Sequence, residues 1–257
     1  MRSRHPGGAR NPVAGPDTVR HMGGTAVVTG ATGGIGSAIV RALCQRGYRV
    51  LAVARSQSKL DALVREVAST EPVVMDLFEP VELPGVLREL DRVDVLVHCA
   101  GIADVGSVAD AEPGLWRRTF AVNVVSAAEL TQALLPGLRA ASGHVVFINM
   151  APGMTGIPRW TAYVGSKAAQ RELADSLRQE EAGNGVRVTT LYPGGTATDL
   201  LRQVREQFGR HYDPEACIQP ESLAAMIVAA IESPPDAHVA ELSLRHVPTS
   251  SAISSHT

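Results

Sequence analysis

The chain has 257 residues, 24 of them basic and 26 acidic, with 45% apolar. That is the composition of a soluble globular protein with a real core, and the near-balance of charge argues against a nucleic-acid or anionic-membrane partner. No apolar run approaches the ~18 residues that cross a bilayer, the N-terminus has no apolar signal region, and Cys44, Cys99 and Cys217 are too scattered for a disulfide framework or zinc site, which fits a reducing cytoplasm.

Residues 1–22 are rich in Gly, Pro and Arg without apolar period and read as a disordered leader, and the Ser/Thr-rich residues from Pro248 read as a flexible tail. Between them, short β-branched runs predict strands at Thr25–Thr29, Val50–Ala54, Val73–Met75, Val93–Val97, His144–Asn149, Val186–Leu191 and Val239–Leu244. Helical period predicts helices at Ile35–Arg46, Ser58–Ala68, Leu115–Ala121, Val124–Ala140, Ala162–Glu181 and Glu221–Ile231. The alternation never breaks and restarts. It implies right-handed βαβ crossovers in a single α/β domain over 23–247, a doubly wound parallel sheet of seven strands in three layers.

The first strand runs straight into Thr29-Gly30-Ala31-Thr32-Gly33-Gly34-Ile35-Gly36. Glycines at 30, 34 and 36 allow a sharp turn, a close approach of backbone amides to a pyrophosphate and a tight helix–sheet contact, and the next helix aims its N-terminal dipole at the phosphates. Gly30, Thr32, Gly33, Gly34, Ile35 and Gly36 are therefore candidate cofactor ligands. The bland alternative is a ligand-free glycine turn, but strand before and amphipathic helix after are the context the motif requires.

The second strand ends in Arg55-Ser56, where an NAD site usually carries a carboxylate. A guanidinium and a hydroxyl suit a 2′-phosphate, so the expected cofactor is NADP(H) in preference to NAD(H); the alternative is a solvated loop cation. Asp76 and Leu77 follow the third strand and are candidates to flank an adenine ring.

Farther along stand His98-Cys99-Ala100-Gly101, Asn123 within Val122-Asn123-Val124, Tyr163-Val164-Gly165-Ser166-Lys167, and Tyr192-Pro193-Gly194-Gly195-Thr196-Ala197-Thr198. With the glycine turn, these make the chain resemble the short-chain dehydrogenase/reductase family over residues 24–247, in that family's motif order. The resemblance implies an oxidoreductase acting on a small apolar ketone or secondary alcohol. It implies Tyr163 as general acid/base, Lys167 as its electrostatic partner and ribose ligand, and Asn123 as anchor of a water that links the lysine to solvent. Ala100, Gly101, Pro193, Gly194 and Thr198 would line the cofactor, and the helices near 115–140 and 160–182 would build a homodimer or homotetramer. Independently of the family, a lysine at i+4 on a helix shares a face with the tyrosine and favours its phenolate.

The family places a serine at the end of the fifth strand. Counting thirteen residues back from Tyr163 lands instead on Met150, whose thioether cannot donate a hydrogen bond. Three readings stay open: a substitute donor such as Asn149 or Thr155; Tyr163 acting alone or in a non-redox cyclase, isomerase, epimerase or dehydratase; or a cofactor-binding regulatory protein. Residues 199–219, with Leu200, Leu201, Val204, Phe208 and Tyr212 as an apolar face, are expected to form a helix-loop lid over an apolar substrate.

Overall fold

The computed structural model describes residues 23–247; the leader expected over 1–22 and the tail from Pro248 lie outside the described residues. Strands β1 (Thr25–Thr29), β2 (Arg49–Ala54), β3 (Thr70–Val74), β4 (Val95–His98), β5 (His144–Ile148), β6 (Arg187–Pro193) and β7 (Glu241–Leu244) form one sheet in the order β3-β2-β1-β4-β5-β6-β7. Every neighbouring pair is parallel.

The helices are α1 (Gly34–Gln45), α2 (Gln57–Glu66), the short α3 (Gly85–Arg88), α4 (Leu115–Phe120), α5 (Ser126–Ala141), α6 (Thr161–Glu181), α7 (Asp199–Gln207) and α8 (Pro220–Ile231). Side chains alternate across each strand. Ala26, Val28, Val50 and Ala52 pack with Ile39 and Leu43 of α1 and Leu223 and Ile227 of α8. Val27, Leu51, Leu96 and Phe147 pack on the other face with Leu130, Leu134 and Leu138 of α5 and Leu177 of α6. Both faces of the strands are covered, which is why they read as unbroken apolar runs. The architecture is the expected three-layer, Rossmann-like one.

One boundary differs from the sequence reading for an identifiable reason. Strand β3 begins at Thr70, three residues early, and contains Pro72 opposite Ala52; β3 is the sheet edge, where a proline costs no ladder bond on the open side. The strand order reverses at β1, between β2 and β4, so a crevice opens beyond the carboxyl ends of β1 and β4.

Candidate active site

The turn after β1 enters that crevice. Gly30 has φ +64°, and a Cβ there would stand 2.8 Å from the Ala100 Cα at the end of β4. A Cβ on Gly36 would run into the Gly30 carbonyl, and one on Gly34 would meet the Thr198 Cγ2 at 2.9 Å. The glycines thus seat α1 against the turn and against the loop after β6. Thr29 Oγ1 accepts from the Cys99 and Ala100 amides, both at 3.1 Å, and locks β1 to β4 at the same level. No side chain caps α1, so its first-turn amides face the crevice without intrahelical acceptors.

Two clefts, of about 380 and 320 Å³, share Ile35, Cys99, Gly101, Thr198 and Leu200 as a common wall. The first is lined by Gly30, Thr32, Gly33, Gly34, Ile35, Gly36, Arg55, Asp76, Leu77, Ala100, Gly101 and Thr198. The glycine cradle and the open helix terminus fit a dinucleotide pyrophosphate. Lys59, one turn into α2, joins Arg55 on this wall; its position on a polar helix face gave no sign of that in the sequence. Ser56 does not line the cleft. Its hydroxyl caps α2 by accepting from the Lys59 amide at 3.4 Å, so the second cation stands where the hydroxyl was expected.

The second cleft holds Tyr163, Lys167, Pro193, Gly194, Thr198 and Met150. Thr198 also caps α7, accepting from the Leu201 amide at 3.2 Å. Tyr163 and Lys167 lie one turn apart on α6. The Tyr163 ring stacks on Trp160 at 4.5 Å, and Trp160 Nε1 donates to the Ala103 carbonyl at 3.2 Å. Burial pushes the Tyr163 phenol up to about 12, the direction opposite to the one the tyrosine–lysine pair suggests from sequence. Lys167 does not bond the phenol: its Nζ donates to the Ile148 carbonyl at 2.7 Å and to Gln170 Oε1 at 3.0 Å. Burial pulls the Lys167 ammonium down to about 8.

Gln170, only 1% exposed, is the residue the sequence did not single out. Its Nε2 donates to the Asn123 carbonyl at 2.9 Å, so one carboxamide bridges Asn123 and Lys167. Asn123 lies outside both clefts, in a single π-helical turn over Ala121–Val125. Its side chain bonds both polar groups of the Ile102 backbone and donates to Ser166 Oγ at 2.9 Å. Gln170 thus connects the Asn123 carbonyl to Lys167 directly. Asn149 also points inward, its Nδ2 donating to the Lys167 carbonyl at 2.9 Å and its Oδ1 accepting from the Met150 amide at 2.9 Å.

Gln170→Leu keeps the volume and deletes the bridge, leaving the Asn123 carbonyl and the Lys167 ammonium each short of a partner in a buried place. The expected cost is about 2–3 kcal/mol, read as a lower urea midpoint at unchanged slope. An unmoved midpoint would show that solvent satisfies both groups equally well.

His98 and Cys99 stand at the end of β4. His98 shares a 2.8 Å hydrogen bond with Thr131 Oγ1, stacks on Phe147 at 4.8 Å, and is held neutral by burial, its pKa down to about 3. Burial pushes the Cys99 thiol up to about 12, which removes the thiolate a reactive cysteine needs. Leu200, Leu201, Val204 and Phe208 of the expected lid line the second cleft, whereas Tyr212 does not. Thr155 is exposed and lines neither cleft.

A model of the short chain dehydrogenase family matches residues 24–209. The chain belongs to the short-chain dehydrogenase/reductase family. This dehydrogenase/reductase is 34% identical over 214 residues to an uncharacterized short-chain type dehydrogenase/reductase of Sinorhizobium fredii, with 81% of this chain and 86% of that one covered. It is 34% identical over 225 residues to the glycine betaine reductase ATRR of Emericella nidulans, where 82% of this chain spans 18% of the longer protein. A metagenomic short-chain oxidoreductase, solved in complex with NADP, is 28% identical with a TM-score of 0.72 over 87% of this chain and 97% of that one. As a member of an oxidoreductase family, the short-chain dehydrogenase/reductase described here is an enzyme with the family's nicotinamide-binding architecture. Among the described residues no helix is long and apolar enough to cross a membrane.

Proposed function

We propose that the chain is an NADP(H)-dependent oxidoreductase that interconverts an apolar ketone and its secondary alcohol, with Tyr163 as the proton donor and acceptor. The observation that carries this reading is the shared wall of the two clefts: a glycine-and-helix cradle with Arg55 and Lys59 lies on one side, and Tyr163 beside Lys167 on the other. Arg55 and Lys59 would hold the 2′-phosphate, Asp76 and Leu77 the adenine, and Ala100, Gly101, Pro193, Gly194 and Thr198 the nicotinamide half. When bound, the reduced nicotinamide would supply the hydride for the carbonyl carbon. Tyr163, protonated across the neutral range, gives its proton to the carbonyl oxygen in the reductive direction. Lys167 would hold the cofactor ribose from a position fixed by the Ile148 carbonyl and Gln170. Asn123 acts through Gln170, as the anchor of the bridge. The exposed Trp116 on α4 and Val125 just before α5 support assembly into a homodimer or homotetramer, and the free state of Cys44, Cys99 and Cys217 suits a cytoplasmic setting.

The test is a fluorescence titration of the full chain with NADPH and NADH, followed by loss of reduced-cofactor absorbance over a panel of apolar ketones. Tight NADPH binding with turnover is the expected result; no binding of either cofactor overturns the reading. Arg55→Asp should weaken NADPH by about tenfold or more, in line with the loss of a charge-assisted hydrogen bond, and leave NADH unharmed. Equal losses for both would remove Arg55 from the 2′-phosphate site.

A second reading rests on Met150. Binding without turnover on any ketone would favour a non-redox enzyme, a cyclase, isomerase, epimerase or dehydratase, or a cofactor-sensing regulatory protein.

A further inference from the structure

The second cleft is one-sided in charge. Its wall is apolar along Met154, Ile157, Trp160, Leu201, Val204 and Phe208, and the charged groups that line it are Lys167, Arg205 and Arg210, with no aspartate or glutamate. Lys167 is committed to the Ile148 carbonyl and to Gln170. The two arginines are not committed to an anion. Arg202, on the same helix, pairs with Asp199 at 3.1 Å and Glu206 at 2.9 Å. Arg205 instead donates Nη1 to the His211 carbonyl at 2.9 Å, and Arg210 lies over the Phe208 ring at 5.5 Å. Among the described residues neither has a carboxylate at ion-pair distance. Asp213, on the loop that follows, turns its Oδ1 to the Glu215 amide.

The half-buried Arg205 guanidinium keeps its field beside the apolar wall, and the exposed Arg210 adds a second, solvent-screened positive charge at the rim. The bond to the His211 carbonyl orients Arg205, and the Phe208 ring lies under Arg210, so a carboxylate would meet guanidinium donors from both.

We propose that the substrate is an apolar carbonyl or alcohol that carries a carboxylate at the end away from the reacting carbon, with its chain on the apolar wall and the carboxylate between Arg205 and Arg210. This deepens the oxidoreductase reading and rests on it for the identity of the cleft as the substrate side.

The experiment separates the two. Trp160 is buried in the cleft wall, and Trp116 is the second of the chain's 2 tryptophans. In a Trp116→Phe background, Trp160 fluorescence is titrated with 4-phenylbutyrate and with its methyl ester, and NADPH is titrated separately. The carboxylate should bind about tenfold more tightly than the ester. The preference should shrink in Arg210→Gln and vanish in Arg205→Gln/Arg210→Gln, with NADPH affinity unchanged. Turnover should follow the same order for 4-oxo-4-phenylbutanoate against its methyl ester.

A carboxylate that binds no better than its ester, or not at all, overturns the proposal. So does a preference that survives in the double variant. If the double variant weakens NADPH as much as the carboxylate, the arginines serve the cofactor and the proposal also falls. Arg210 is exposed, so its single variant reports even where the double variant folds poorly. Failure of NADPH to bind the parent protein, with the carboxylate preference intact, would sink the oxidoreductase reading alone.

Discussion

Tyr163→Phe should lower carbonyl turnover by about 10²–10⁴-fold, the usual contribution of a positioned general acid, with NADPH affinity unchanged. The substitution removes one oxygen. The ring that stacks on Trp160 stays, and the Lys167 contacts to Ile148 and Gln170 do not involve the phenol. Any loss is therefore chemical. The pH profile sharpens the assignment. The phenol stays protonated to about 12, so it supplies no break in the neutral range. Lys167 is cationic below about 8; as pH rises through that value the cation is lost, and reductive kcat/KM should fall with it. A Tyr163→Phe protein that keeps turnover within a factor of about ten would move the proton source elsewhere in the cleft.

The glycine turn, the strand ladder and the Tyr163–Lys167 pair were legible because each is a local pattern. A glycine spacing follows from backbone approach, apolar runs follow from two-sided burial, and an i, i+4 pair follows from helix geometry. What escaped was set by packing from elsewhere in the chain. Gln170 sits in Ala169-Gln170-Arg171-Glu172, which reads as a solvated helix face because glutamine is mostly exposed. It is buried because the π-helical turn brings the Asn123 carbonyl to within a carboxamide's reach of α6, and no short-range pattern announces that turn. Lys59 escaped for the same kind of reason: it lies on the polar face of α2, and only the packing of α2 on the sheet brings it to the first cleft. Ser56 is also a good helix cap by sequence, and its hydroxyl accepts from the Lys59 amide at the start of α2.

Met150→Ser should raise reductive kcat/KM, by up to about 10²–10³-fold, the worth of one donor to a developing oxyanion. The structure favours a gain because neither substitute donor suggested by the sequence is in place. Asn149 spends its amide on the Lys167 carbonyl and on Gln170 Oε1, and its carbonyl oxygen on the Met150 amide. Thr155 is exposed and outside both clefts. Met150 itself lines the second cleft with Tyr163, so a hydroxyl there would face the space a carbonyl enters. Tyr163 would then share its load with a second donor, and the fall caused by Tyr163→Phe should be smaller in the serine background than in the parent. A gain confined to kcat, with KM steady, would mark an interaction made mainly in the transition state. No gain, with NADPH still tightly bound, would mean that the parent does not wait for a second donor because carbonyl reduction is not its reaction, and would shift the weight to the non-redox alternatives.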